Sequence, residues 1–73
     1  MNYGNNEKLR EDVASLSNDM YEMWQRIKQL QREYRYNSED LADRMAGMVL
    51  EVVESEYARA YTKICEMDYQ FQD

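Results

Sequence analysis

Any chemistry in this chain must come from carboxylates, phenols and one thiol. There is no histidine among its 73 residues, so the commonest general base and metal ligand is missing. Cys65 is the one cysteine, with Lys63 and Glu66 as its charged neighbours in sequence. Nothing there resembles the base that activates a thiolate, and Cys65 is expected to be a half-buried small residue. Glu51, Glu54 and Glu56 cluster, the first two at i, i+3. Helical metal sites take inward carboxylates from several helices, usually with histidine, so a solvated acidic face is expected instead. The two glycines are too far apart to form a phosphate loop. No catalytic residue, cofactor or metal is expected, and the chain does not read as an enzyme.

Contact chemistry is better represented. Seven tyrosines is a high count for this length, and tyrosine is an amphipathic residue enriched where proteins meet. Tyr57 and Tyr61, at i, i+4, are expected to fill a helical core. Tyr21, Tyr36 and Tyr69, with Glu51, Glu54 and Glu56, are the candidates for touching a partner.

The elements that must carry these residues are helices. Proline is absent and 33% of residues are charged against 44% hydrophobic, the profile of a long-helix protein. From Leu9 onward, apolar residues follow a heptad beat through Val13, Leu16, Met20, Met23, Ile27, Leu30 and Tyr34. This places the first helix at about 6–35, after a flexible polar lead at 1–5, with Asn5 or Asn6 as its cap. Asn37 or Ser38 then caps a second helix at about 38–70, its first turn loaded with Glu39, Asp40 and Asp43. The expected fold is all-α: one domain over 1–73, an antiparallel two-helix hairpin. Folding about residue 37 pairs Ile27 with Met48 and Val49, Met23 with Val52, Leu16 with Ala58, and Val13 with Tyr61. It also sets Arg32 and Arg35 against Glu39, Asp40 and Asp43.

One hairpin of this size is short of core. A chain this small usually recruits disulfides, a metal or a second copy, and a lone cysteine without histidine leaves the second copy. Val13, Met20, Ile27 and Tyr34 take position a and Leu9, Leu16, Met23 and Leu30 position d, with Trp24 at e widening the stripe. Met45, Val49, Val52, Val53 and Ile64 carry the stripe on the second helix, doubled at Met48/Val49 and Val52/Val53. The breadth of that arc predicts a homodimer, as a four-helix bundle or a coiled-coil-like assembly. Gly47 admits two readings, a close approach at a crossing or subunit contact, or a tolerated helical glycine.

LREDVASL resembles the opening of the first helix in the all-helical chorismate mutases, with Arg10 at the position of a substrate-contacting arginine. Those enzymes place a second arginine where this chain has Ile27, and they need a third helix. Tyr69-x-x-x-Asp73 resembles the export signal of small helical-hairpin secretion substrates. Those proteins carry Trp-x-Gly at their turn, where this chain has YRYNSED. Neither resemblance extends beyond its few residues.

Net charge is −6, which argues against generic affinity for nucleic acid or anionic membranes. The positive charge is concentrated in Arg26, Lys28, Arg32 and Arg35, where pairing with the second helix is expected to neutralise it. With no apolar run long enough to span a bilayer, no secretory signal and one cysteine, a cytoplasmic protein is expected. The composition fits an acidic protein-binding module: a regulator, adaptor or inhibitor of the phage or plasmid type. The alternative is an inhibitor whose carboxylates imitate nucleic-acid phosphates, a pattern weakened by the interleaved Arg44, Arg59 and Lys63.

Overall fold

A computed structural model describes residues 7–71. The expected lead at 1–5, the helix start at residue 6 with its asparagine cap, and Asp73 lie outside the described residues. Two helices run antiparallel, α1 over Glu7–Glu33 and α2 over Leu41–Gln70, in a rod of 55 × 15 × 11 Å. There is no strand among the described residues. The all-α hairpin is therefore as the periodicity predicts.

The turn is longer than expected, and Gly47 explains why. Both helices stop short of the predicted bounds, so residues 34–40 connect them. Tyr34 still donates its N–H to the Leu30 carbonyl at 2.8 Å, but the chain then leaves α1 and crosses α2 at Gly47. A methyl group on Gly47 would meet the Tyr36 amide nitrogen, and would stand 2.6 Å from the Arg35 carbonyl carbon and 2.7 Å from the Tyr34 carbonyl oxygen. Only hydrogen fits beneath that backbone. Gly47 thus marks a close approach, made by the turn rather than by a second helix.

The cap also moves. Asp40, in extended conformation, caps α2, its Oδ1 accepting from the Asp43 N–H at 3.1 Å. The Ser38 hydroxyl instead accepts from the Asp40 N–H at 3.1 Å, while Ser38 donates its own N–H to the Arg35 carbonyl at 3.1 Å. Asn37 and Ser38 belong to the turn, and a carboxylate takes the N-terminus of α2, where the helix dipole favours negative charge. With Asp40 committed to the cap, the expected pairing of Arg32 and Arg35 with Glu39, Asp40 and Asp43 does not form among the described residues.

The crossing of Tyr34–Tyr36 over Gly47 changes the pairing register. Ser17 faces Cys65, Met20 faces Tyr57, Tyr21 faces Tyr61 and Trp24 faces Glu54. The sequence-derived pairing set about residue 37 is displaced by about one to three helical turns. Val13 and Ile27 are the buried apolar side chains among the described residues. Met20, Trp24 and Leu30 of α1 and Leu50, Tyr57, Tyr61 and Ile64 of α2 are half-buried beside them.

Candidate interaction surface

The two helices meet along a polar-edged aromatic belt. Trp24 donates its indole N–H to Glu54 Oε1 at 3.2 Å, and the Lys28 ammonium sits 4.1 Å above the indole ring, a cation–π contact. The Tyr61 ring lies 5.3 Å from that of Trp24 and 6.3 Å from that of Tyr21. Tyr57 donates its hydroxyl proton to the Met20 carbonyl at 2.9 Å. Burial pushes the Tyr57 phenol above its usual range. The Cys65 thiol and then burial do the same for Tyr61. Cys65 is half-buried, its sulfur 4.0 Å from the Ser17 hydroxyl. These groups hold the helices together, and they settle the inward side of each helix.

What is left outward is unusually apolar. On α2, Leu41, Met45, Met48, Val49 and Val52 each keep 57–64% of their surface exposed. With about 3.6 residues per turn, Leu41, Met45, Met48 and Val52 share the side of α2 opposite Gly47 and Glu54, away from α1. Val49 and Val53 extend that arc around one flank. On α1, Leu9, Leu16 and Met23 keep 41–51% exposed, because α2 sits against Val13, Met20, Trp24, Ile27 and Leu30. A stripe three or four residues wide cannot all face one neighbour when that neighbour lies to one side.

The expected seam is therefore divided. Val13, Met20, Trp24, Ile27, Leu30 and Ile64 lie between the helices. Leu9, Leu16, Met23, Met45, Val49, Val52 and Val53 are exposed in the single chain and do not build the hairpin core. Of the partner-contact candidates, Tyr21, Tyr36, Glu51, Glu56 and Tyr69 are exposed. Glu54 is not a free carboxylate, because its oxygen accepts from Trp24. Leu41, which the predicted seam omits, is exposed on the same stripe, as is Met48 of the doubled Met48/Val49 position. The signal that finds them is the 4-3-4 spacing of Leu41, Met45, Met48 and Val52, a second heptad stripe on α2.

Charge frames this surface unevenly. An open cleft at the turn is lined by Lys28, Arg32, Arg35, Tyr36 and Glu51, on the belt side of the hairpin. No group of three or more histidine, cysteine, aspartate or glutamate residues suited to a metal occurs among the described residues. No helix among them is long and apolar enough to cross a membrane.

The family described as YubE matches residues 5–71. The chain is 36% identical, over 73 residues spanning the whole of both proteins, to an uncharacterised protein of Escherichia coli strain K12 called YubE. No solved structure matches it.

Proposed function

The chain belongs to the YubE family, and we propose that it is a small acidic protein–protein interaction module. It acts as a regulator, adaptor or inhibitor through helical contact surfaces rather than through bond-making chemistry, and it works as a homodimer. The observation that carries this is the exposed apolar arc of α2 from Leu41 to Val53. Contiguous exposed apolar surface of this kind marks contact sites on small proteins. The need for a second copy follows from size. Two buried apolar side chains are a thin core for ordering a chain whose residues each cost roughly 1.5 kcal/mol of entropy to fix. An assembly adds the burial that one hairpin lacks.

Occupation of a basic groove by phosphate-like carboxylates has weaker support. Glu54 is tied to Trp24 and Asp40 to its helix cap, so two of the acids needed for an anionic face already have partners.

Light scattering across a wide concentration range tests the dimer: a mass of twice the chain is expected. A monomer at every concentration, with full helical circular dichroism, would remove it. Partner binding is tested by capture from lysate of the source organism, comparing wild type with Val49→Glu. A stoichiometric protein held by both or by neither would count against the α2 arc as the surface involved.

A further inference from the structure

The exposed stripe of α2 has a heptad grammar of its own, and it specifies how a second copy sits. Met45 and Val52 occupy a, Leu41 and Met48 d, Arg44 and Glu51 g, and Ala42, Val49 and Glu56 e. Asp43, Leu50 and Tyr57 then fall at f, with Gly47 and Glu54 at c. This f and c side is the one turned to α1, as the Tyr57–Met20 and Glu54–Trp24 contacts show. The a/d stripe is free.

Charges at e and g set the orientation of a coiled pair. In a parallel pair each g residue meets the e residue five positions on in the other helix, so Glu51 would face Glu56 of the second copy. That is a like-charge contact, made twice. The next a position would also bring Arg59 against Arg59. In an antiparallel pair a faces d, and g faces g. Leu41 then packs on Val52 and Met45 on Met48, giving four apolar layers related by a dyad. Arg44 stands beside Glu51 of the second copy, twice, and Ala42 beside Val49 on the other edge. Every flanking contact is then either opposite in charge or apolar.

We propose that a second copy of this chain docks on the outer face of α2, antiparallel, with the dyad passing beside Ala46 and Gly47. This rests on the homodimer stated above and adds its surface and direction. The two hairpins lie side by side with their turns pointing in opposite directions, and the d stripe of α1 (Leu9, Leu16, Met23) stays outside the contact.

Charge exchange at g tests the arrangement, with dimer dissociation followed by sedimentation and helix content by circular dichroism. Arg44→Glu and Glu51→Arg singly should each weaken the dimer about three- to tenfold, since each substitution replaces two exposed attractive pairs by two repulsive ones. The double exchange Arg44→Glu/Glu51→Arg should restore wild-type affinity. Tightening by Glu51→Arg alone would overturn the antiparallel arrangement, because in a parallel pair it relieves the clash with Glu56. A dimer indifferent to all three variants would place the contact elsewhere, leaving the homodimer itself standing. A wild-type monomer would remove both.

Discussion

Gly47 is where opposing effects at a single residue can be weighed by magnitude. Alanine would add about 1 kcal/mol of helix propensity at this mid-helix position. Its methyl would also collide with the backbone of 34–36, and forced overpacking costs about 1–3 kcal/mol or more when the neighbour is main chain. Gly47→Ala is therefore expected to be net destabilising, by about 2 kcal/mol or more at the upper end of that cost, measured by urea unfolding, despite its better propensity. Stabilisation would mean that the turn does not lie on α2. Tyr57 offers a second residue-scale test. Its folded-state pKa is raised above the ordinary 10.0, so it stabilises the fold fully below about pH 10, and that contribution is lost as pH rises through the folded value. Deprotonation also removes the proton donated to Met20. Tyr57→Phe should cost about 1 kcal/mol at neutral pH and flatten the alkaline loss of stability, as read from denaturation midpoints across an alkaline pH series.

At the scale of the element, α2 begins where its cap dictates. Asp40 supplies both an acceptor for an orphan N–H and a negative charge at the positive end of the helix. Asp40→Ala should lower stability by about 1 kcal/mol. Asn37→Ala should change it by much less, since Asn37 lies in the turn. Equal effects would return the cap to the position that sequence spacing alone suggests. The difference between the two positions was open in the sequence because YNSED offers three residues able to cap, Asn37, Ser38 and Asp40. What chose among them was the three-residue crossing of Tyr34–Tyr36 over Gly47, a contact made within the second helix's first two turns.

The whole molecule is a thin rod with little interior. A hairpin that leaves Leu9, Leu16 and Met23 of α1 and Leu41, Met45, Met48 and Val52 of α2 exposed should gain stability from its own concentration, as any state that binds only when folded does. The thermal midpoint is expected to rise with protein concentration, and Met48→Glu should abolish that rise while leaving a helical chain. A midpoint independent of concentration in wild type would mean that the hairpin suffices alone. On either outcome Leu9, Leu16 and Met23 remain a separate exposed stripe on α1.

Much of this was legible in the residues themselves. The heptad beat of Leu9 to Tyr34, the absence of proline and the polar break near Asn37 determine two helices and an antiparallel return, because periodicity and capping are local properties of the chain. The lack of histidine and the single cysteine bound the chemistry in the same local way. Register and facing were decided only by the tertiary structure. The path of the turn depends on Gly47 lying under Tyr34–Tyr36, and that crossing offsets the cross-helix pairs by about one to three turns. The division of the seam into covered residues (Val13, Met20, Ile27, Leu30) and open ones (Leu9, Leu16, Met23) depends on which flank of Trp24 the second helix takes. Apolar spacing shows that a stripe will be buried, but not against what, since the hydrophobic effect is non-directional. Direction came from the specific bonds of Trp24 to Glu54 and Tyr57 to Met20.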